Sequence, residues 1–246
     1  MAISVAVAGS SGRLGSLICD VIEEDPRFEL VARLRSTSAP DEGADAAVLV
    51  DVTTPDVSQA VVERALRRGQ KVIVGTSGWS QERLAELAAL ISELSDAGAI
   101  VVPNFSLGSV LGTALAQIAA PFFDSIEIIE AHHAKKVDSP SGSAVRTAEL
   151  MMAARDGKPV DAPYADQTAR GELIGGIPVH SLRMTGVMAK QEVRMGGAGE
   201  VLTVTHDTLS GDSYKAGIRA ALAAAPDATG LTVGLDALLG LGKVGA

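Results

Sequence analysis

The N-terminal part of the chain places a glycine-rich turn between an apolar segment and an amphipathic one. Residues Ile3–Ala8 are small or β-branched and uncharged, as in a parallel strand that is buried on both faces. The turn Gly9-Ser-Ser-Gly-Arg-Leu-Gly15 follows, and a helix is predicted from about Leu14 to Glu24. Strand, glycine turn and helix form the context of a dinucleotide-binding unit. Because the spacing is GxxGxxG rather than GxGxxG, a turn that merely packs tightly is the alternative.

Further strand-like segments repeat this arrangement. Strands are predicted at Phe28–Leu34, Ala46–Val52, Lys71–Val74 and Ile100–Val102. The last three run into the turns Thr53-Thr54-Pro55, Gly75-Thr-Ser-Gly78 and Pro103-Asn-Phe-Ser106. Because the carboxyl ends of parallel strands share one edge of a sheet, these turns outline a ligand crevice.

The end of the second strand is the position that distinguishes the two nicotinamide dinucleotides. NAD-specific sites place an acidic residue about 20 residues after the glycines, where it binds the ribose. This chain instead offers Arg33, Arg35, Ser36 and Thr37. A guanidinium with neighbouring hydroxyls binds a 2′-phosphate, which a carboxylate would repel. Arg35 and Ser36 therefore favour NADPH and leave NADH usable; the alternative is a solvated strand end.

The second half of the chain follows a different pattern. A helix at about Val110–Phe122 leads to a strand at Ser125–Ala131, a loop with two histidines, and a helix that begins near Ser141. Residues 157–176 are predicted to form a loop. Strand-like runs without intervening helices then indicate an antiparallel or mixed sheet. They lie at Ile177–Met184, Gln191–Met195 and Val201–His206.

These patterns predict an α/β protein with a Rossmann-like parallel sheet at its N-terminus and a smaller α+β domain on a mixed or antiparallel sheet. The predicted dinucleotide-binding domain comprises residues 1–106 and 214–246. A final helix at Tyr214–Ala225 and an apolar tail at Leu231–Leu241 suit a return to the first sheet. Residues 107–213 are the predicted substrate-binding and oligomerisation domain.

The composition narrows the class of function. A net charge of −9 and a pI near 4.9 leave no basic stripe for nucleic acid. The single cysteine, Cys19, excludes an internal disulfide and a cysteine-cluster metal site. No apolar run approaches the roughly 20 residues that span a bilayer, and no signal peptide is expected. We therefore expect a cytoplasmic protein that acts on a small molecule, without a metal, nucleic-acid or membrane partner.

The stretch Glu130–Ala144 concentrates groups that move protons and bind anions. His132 and His133, two of the four histidines, are followed at once by two lysines. Histidine suits a proton donor near neutral pH, and a lysine can hold a carboxylate. Ser141 is a good N-cap, and a helix N-terminus attracts carboxylates or phosphates. A solvated polar loop is the alternative, but rare residue types beside an anion-binding turn favour a site.

Residues 130–144 resemble a motif of a known family. They read E-x-H-H-x-x-K-x-D-x-P-S-G-S-A, similar to the E-x-H-H-x-x-K-x-D-x-P-S-G-T-A of 4-hydroxy-tetrahydrodipicolinate (dihydrodipicolinate) reductases of bacterial lysine and diaminopimelate synthesis. The resemblance covers essentially the whole chain, in the short form typical of actinobacterial members. It implies NAD(P)H-dependent reduction of 4-hydroxy-tetrahydrodipicolinate to tetrahydrodipicolinate, by a homotetramer built through the sheets of the second domain.

The resemblance also implies residue roles. His132 is the implied acid–base residue, and Lys136 the second proton donor and a carboxylate contact. His133 is implied to contact the substrate, and Gly142 and Ser143 to hold a substrate carboxylate. Besides Arg35, the implied cofactor contacts are Gly9, Ser10, Ser11, Gly12, Arg13 and Leu14 at the pyrophosphate, and Gly75, Thr76, Ser77, Val102, Pro103, Asn104 and Phe105 at the nicotinamide.

The chain departs from the family pattern at several positions. Arg35-Ser36 replaces an acidic or acid–arginine pair, and Val52 replaces a phenylalanine. Ser77 and Ser143 replace threonines and keep the hydroxyls, while Gly211 stands where an arginine is common. Two alternatives stay open: a reductase of the same fold that acts on another cyclic imine, and a nucleotide sensor that has lost the chemistry.

Overall fold

The computed structural model of the chain describes residues 2–39 and 41–241. The chain divides into two compact units, Met1–Phe105 with Tyr214–Gly240, and a second unit built on Ser106–Ser213. The roles given to residues 1–106 with 214–246 and to 107–213 remain predictions. Residues 1, 40 and 242–246 of the first predicted domain lie outside the described residues.

Strands and helices alternate in the first part of the chain and separate in the second. The strands are β1 (Ile3–Ala8), β2 (Phe28–Leu34), β3 (Val48–Asp51), β4 (Lys71–Val74), β5 (Gly98–Val101), β6 (Ser125–His133), β7 (Glu172–Ile174), β8 (Ile177–Met184), β9 (Ala189–Gly197), β10 (Glu200–Thr208) and β11 (Gly230–Val233). The helices are α1 (Arg13–Glu24), α2 (Pro55–Arg67), α3 (Gln81–Glu93), α4 (Leu107–Ala119), α5 (Gly142–Ala154), α6 (Lys215–Ala224) and α7 (Leu235–Leu238). Among the described helices, none has the length and apolarity that crossing a membrane requires.

The first unit is built on a parallel sheet with the strand order β11-β5-β4-β3-β1-β2. Three consecutive residues of β1, Val5, Ala6 and Val7, are fully buried, which requires cover on both faces of the sheet. The chain passes from β1 to β2 on one side and returns to β3 on the other. The carboxyl ends of β1 and β3 therefore flank the switch point at which such sheets bind ligands. The predicted Rossmann-like sheet is confirmed.

The far edge of this sheet differs from the prediction. β11 lies in the predicted apolar tail and pairs with β5, with Gly230 opposite Gly98. A Cβ at Gly98 would lie 2.0 Å from the carbonyl oxygen of Ala228, so the close approach requires glycine there. Because glycine is depleted in strands, Gly98 makes the start of β5 difficult to predict from the sequence. β3 is also shorter than the predicted Ala46–Val52, since only Val48–Asp51 pairs with its neighbours.

The second unit is built on a mixed sheet with the strand order β10-β9-β6-β8-β7. β6 and β8 are parallel, and the other neighbours are antiparallel, which confirms the predicted mixed sheet. Ile126 and Ile128 of β6 alternate into the core with Val179 of β8 and Val193 of β9, and Met151 of α5 packs against them. Because successive side chains of a strand point to opposite faces, these core residues all lie on one face of the sheet, and the helices pack against that face.

The predicted loop at residues 157–176 contains a strand, which corrects that prediction. β7 pairs with β8 through the two-residue turn Gly175-Gly176, in which both glycines have positive φ (60° and 101°). Such a turn matches the twist of paired strands, and glycine adopts it without strain. Two glycines between apolar runs are a hairpin signal that could have identified β7.

The two histidines belong to β6, not to the loop that was predicted to follow the strand. β6 continues to the second histidine because His132 pairs with Arg183 and His133 pairs with Met184 of β8. The histidines are therefore held by a sheet rather than by a loop. Sites on regular elements position their side chains more firmly than sites on loops.

The fourth helix begins at Leu107, earlier than the predicted Val110. Ser106 is its N-cap, and its hydroxyl accepts a hydrogen bond from the N–H of Ser109 at 3.3 Å. The first turn contains a glycine, which has low helix propensity. The start of the helix is therefore set by its cap rather than by its composition.

Candidate active site

A buried carboxylate, Glu130 of β6, lies at the centre of the hydrogen-bond network of the second unit. Its side chain has no exposed surface. Its Oε2 accepts from Nδ1 of His132 at 2.6 Å, and the guanidinium of Arg183 donates to both of its oxygens at 2.9 Å. The backbone N–H of Ser141 donates to Oε1 at 3.1 Å. Glu130 therefore joins β6, β8 and the N-terminus of α5.

These donors keep Glu130 ionised inside the protein. Burial alone would raise the pKa of the carboxyl group, but hydrogen bonds from His132, Arg183, Ser181 and the Ser141 backbone lower that pKa from 4.5 to about 2. An ionised carboxylate can only accept hydrogen bonds. Nδ1 of His132 must therefore carry the hydrogen of their shared bond.

This bond sets the tautomer and the orientation of His132. The imidazole is 15% exposed, and in the part of the chain that the structure describes its Nε2 has no hydrogen-bond partner. Nε2 is thus left to exchange a proton with a ligand, while the Glu130 carboxylate holds the ring in place. A buried carboxylate behind a histidine is the arrangement of a general acid or base.

Lys136 is tied to the same network through the turn that follows β6. Its Nζ donates to both carboxylate oxygens of Asp138, at 2.7 and 2.8 Å. This hydrogen bond lowers the pKa of Asp138. The backbone oxygen of Asp138 accepts from Nη2 of Arg183 at 2.6 Å. Arg183 therefore contacts both the carboxylate that orients His132 and the turn that carries Lys136.

The start of α5 has the predicted cap. The hydroxyl of Ser141 accepts from the N–H of Ala144 at 3.4 Å, which confirms Ser141 as the N-cap. Within residues 2–39 and 41–241, the N–H groups of Gly142 and Ser143 have no acceptor. The helix dipole adds positive potential at such groups, so a carboxylate can bind there. That Gly142 and Ser143 hold the substrate stays a prediction.

The geometry separates His133 from the network. Successive side chains of a strand point to opposite faces, and His133 lies beside Met184 while His132 lies beside Arg183. The structure thus brings His132 and Lys136 together through Glu130 and Arg183, and it does not bring His133 to them. No cluster of three or more metal-binding side chains occurs among the described residues.

In the first unit, the turn after β1 leaves the N-terminus of α1 uncapped. Gly12 is the N-cap and has no side chain to accept from the first N–H groups of the helix. A Cβ at Gly12 would meet only the Gly9 oxygen, at 3.4 Å, whereas one at Gly15 would lie 2.1 Å from that oxygen. Gly15 is therefore required for packing. The space at Gly12 and the free N–H groups suit an anion such as a pyrophosphate.

The other residues of this turn differ in how easily they can contact a ligand. The backbone N–H and the hydroxyl of Ser10 both donate to the Leu34 oxygen, at 3.3 and 3.1 Å, so Ser10 links the turn to β2. Ser11 and Arg13 are exposed and Leu14 is half-buried. Ligand contacts from Ser10 are therefore limited by its internal bonds, while its neighbours remain accessible.

A second buried carboxylate, Asp51, joins the turns at the sheet edge and was not predicted. It ends β3 and is fully buried. One oxygen accepts from the Thr53 hydroxyl at 2.6 Å, and the other accepts from Ser58 at 2.5 Å and from Thr76 at 2.8 Å. The hydroxyl of Thr76 is thereby engaged inside the protein. An acidic residue that ends a fully apolar strand is the sequence signal that could have identified Asp51.

Several residues predicted on the nicotinamide side pack against one another. Val102 and Phe105 are buried. A Cβ at Gly75 would lie 2.7 Å from the Phe105 ring and 2.9 Å from the Val52 side chain, so glycine lets these residues pack closely. The accessible members of this group are Ser77, Pro103 and, half-buried, Asn104. The buried members shape the sheet edge.

The two arginines at the end of β2 have different surroundings. Nη2 of Arg33 forms an ion pair with Glu23 of α1 at 2.7 Å. Arg35 is exposed, and its guanidinium has no partner in the described part of the chain, since only its backbone is bonded: its N–H donates to the Ser38 hydroxyl and its oxygen accepts from the Ser38 N–H. Arg35 is therefore the arginine that is free to meet a phosphate.

Two family models together match nearly the whole chain. The model described as dihydrodipicolinate reductase, N-terminus, matches residues 3–47 and 37–105. The model described as dihydrodipicolinate reductase, C-terminus, matches residues 108–239. The motif of residues 130–144 lies inside the second match.

Relatives and a solved structure agree with these matches. The chain is 55% identical over 242 residues to the 4-hydroxy-tetrahydrodipicolinate reductase of Clavibacter michiganensis subsp. michiganensis, covering 98% of this chain and 87% of that protein. It is 43% identical over 245 residues to the reductase of the same name from Streptomyces coelicolor, covering 96% and 98%. A dipicolinate-bound dihydrodipicolinate reductase from Paenisporosarcina sp. TG-14 matches with a TM-score of 0.82 at 29% identity, covering 96% and 99%.

Proposed function

Because the chain belongs to the dihydrodipicolinate reductase family, we propose that it reduces 4-hydroxy-tetrahydrodipicolinate to tetrahydrodipicolinate in diaminopimelate and lysine biosynthesis. The reaction consumes a hydride and a proton and releases water. His132 supplies the proton through Nε2, assisted by Lys136. The observation that carries this assignment is the 2.6 Å bond between Nδ1 of His132 and the buried, ionised Glu130.

The substrate is a dianion, and the second unit offers matching donors. The N–H groups of Gly142 and Ser143 in the first turn of α5 would hold one carboxylate. The Lys136 ammonium would hold the other or share in protonation. His133, the last residue of β6, is proposed as a further substrate contact beyond the end of the strand. These groups bind and orient the ring so that protonation occurs at a fixed position.

The N-terminal family region implies a nicotinamide cofactor, and the first unit fits a dinucleotide. The uncapped N-terminus of α1 would hold the pyrophosphate with Ser11, Gly12 and Arg13. The edge shaped by Gly75 and Phe105 would support the nicotinamide, which supplies the hydride when bound. The remaining implied contacts are Gly9, Ser10, Leu14, Thr76, Ser77, Val102, Pro103 and Asn104.

Gly12→Ala is expected to weaken NADPH binding about 10-fold, because a methyl group would obstruct one charge-assisted contact between a phosphate and an N–H group. Ser16→Ala, one turn further along α1 and exposed, is the matched control. The dissociation constant is measured by fluorescence titration and the melting temperature by calorimetry. Unchanged affinity in Gly12→Ala would place the pyrophosphate elsewhere.

Arg35→Asp is expected to raise the dissociation constant of NADPH about 10- to 100-fold, because it removes a charge-assisted hydrogen bond to the 2′-phosphate and adds repulsion. Binding of NADH, which lacks that phosphate, should change much less. Arg33→Gln serves as the control, since Arg33 is engaged by Glu23. Equal changes for the two dinucleotides in Arg35→Asp would refute NADPH preference through this residue.

We also propose that the protein is a homotetramer that acts in the cytoplasm, where amino-acid biosynthesis draws its reduced nicotinamide. In the second unit, Leu182, Met184 and Val201 are exposed by 40%, 48% and 68%. The alternation of β8 directs Leu182 and Met184 to the sheet face opposite the core residue Val179. An exposed apolar sheet face suits an interface between subunits. Sedimentation at several concentrations tests the assembly.

Steady-state oxidation of NADPH and NADH in the presence of enzymatically generated 4-hydroxy-tetrahydrodipicolinate tests the proposed reaction directly. Complementation of a bacterium that lacks this reductase distinguishes it from reduction of another cyclic imine. Turnover of the dicarboxylate together with growth without diaminopimelate supports the proposal. Tight NADPH binding without turnover of this substrate would instead favour the nucleotide-sensor alternative.

A further inference from the structure

We propose that Arg183 is a positioning residue for both proton donors, because one guanidinium group holds the carboxylate that orients His132 and the turn that carries Lys136. This inference rests on the proposed function, in which these two side chains protonate the substrate. Arg183 itself is not assigned a contact with the reacting atoms.

The contacts of Arg183 form a continuous chain between the two donors. Nη1 and Nη2 each donate to one oxygen of Glu130 at 2.9 Å, and Oε2 of Glu130 accepts from His132. Nη2 also donates to the backbone oxygen of Asp138 at 2.6 Å. The Asp138 carboxylate in turn binds Nζ of Lys136 through both oxygens. Loss of this guanidinium would therefore free both the carboxylate that orients His132 and the turn that carries Lys136.

The sheet register explains why Arg183 reaches these groups. β6 and β8 are parallel, and the register places Ser181 beside Glu130 and Arg183 beside His132. Arg183 and Glu130 therefore point to the same face of the sheet. The guanidinium is anchored further by a bond from Nη1 to the Leu182 backbone oxygen at 2.7 Å. With 19% of its side chain exposed against a fully buried Glu130, Arg183 has little freedom to move.

Only arginine among the cationic side chains can make this set of contacts. The planar fork binds both oxygens of a carboxylate and still has hydrogens for a further acceptor. A lysine would keep the positive charge but has a single nitrogen, so it could not hold both Glu130 and the Asp138 turn in this geometry. Arg183→Lys therefore distinguishes the role of the positive charge from the role of the planar guanidinium group.

The contacts of Arg183 make a second readout available. Arg183 binds Glu130 and the backbone oxygen of Asp138, and it is assigned no contact with the substrate. Its loss should therefore displace the proton donors, which lowers kcat, and change the KM for the substrate much less.

Arg183→Lys is expected to lower kcat about 100-fold, the size of effect that a misplacement of reacting groups by about 1 Å produces. The KM for the substrate should change much less than kcat, because Arg183 is assigned no contact with the substrate. Arg183→Met is expected to lower kcat as far. A purely structural role would lower the folded fraction, measured by circular dichroism, and leave kcat per folded molecule unchanged.

Arg170→Met is the matched control. Arg170 of the second unit forms an ion pair with Glu127, on the same strand as Glu130, and Glu127 also accepts from His180 at 2.6 Å. This cluster has the same residue types but no contact with His132 or Lys136. Arg170→Met should therefore leave kcat within a factor of about 3, well below the effect of displaced reacting groups.

The outcomes separate this inference from the proposed function. If the wild type turns over the substrate and Arg183→Lys retains full kcat, the positioning role is overturned and the reaction stands. If Arg183→Met does not fold, Arg183→Lys alone decides, since its charge still balances Glu130. If the wild type shows no turnover of the substrate, the proposed function itself fails.

Discussion

His132→Gln is expected to lower kcat about 1,000-fold, within the 10²- to 10⁴-fold range that a general acid contributes. Glutamine has an amide donor that can still reach Glu130, so the hydrogen bond behind the ring can be kept. It has no group that releases a proton near neutral pH. The dissociation constant of NADPH should stay unchanged, because the residues proposed to bind it lie in the first unit. Single-turnover kinetics and NADPH titration provide the two measurements.

His180→Gln is the control for this prediction. His180 lies in β8 and is bound through Nε2 to Glu127, so its environment resembles that of His132 without the link to Lys136. It should retain nearly full turnover. A loss in kcat below about 3-fold for His132→Gln, less than any expected general-acid contribution, would assign protonation to another group. Equal losses in the two variants would indicate a general effect on the sheet rather than loss of a proton donor.

The local parts of this architecture could be predicted from the sequence. β1, β2, β4 and β8 have the predicted bounds, because apolar runs between glycines and polar turns identify strands without knowledge of their partners. The cap at Ser141 was predicted for the same reason, since a capping residue acts on the N–H groups of its own helix. The motif of residues 130–144 is contiguous in the chain, and so its residues could be recognised together.

The long-range contacts that hold the candidate site in place could not be predicted, because they form between distant segments. Arg183 meets Glu130 over a separation of 53 residues, and Asp51 meets Thr76 over a separation of 25. Which residues meet depends on the register of the paired strands, and a shift by one residue would turn each side chain to the other face. The sequence shows an arginine in a strand but not its partner. The same limit applies to the edge pairing of β11 with β5.

Glu130→Gln is expected to destabilise the protein by about 3 kcal/mol at pH 7, in the range measured when a buried ion pair loses one partner. The amide has no charge for Arg183, whose guanidinium stays largely buried. It also presents N–H hydrogens to donors that need an acceptor. Urea unfolding at pH 7 measures this loss, and far-UV circular dichroism shows whether the variant is folded.

The difference in stability between the wild type and Glu130→Gln should itself depend on pH. The carboxyl group has a pKa of about 2 in the folded protein, below its ordinary 4.5. Its contribution is therefore fully present above pH 4.5 and is lost as the pH falls towards 2. At about 1.4 kcal/mol per pKa unit, the shift corresponds to about 3 kcal/mol. Other carboxyl groups with lowered pKa values, such as Asp138, are common to both proteins and cancel in the difference. The free energies of unfolding of the wild type and Glu130→Gln, measured at pH 7, 4 and 3, should therefore approach each other as the pH falls. A difference that stays constant down to pH 3 would show that Glu130 is not the anion on which this site depends.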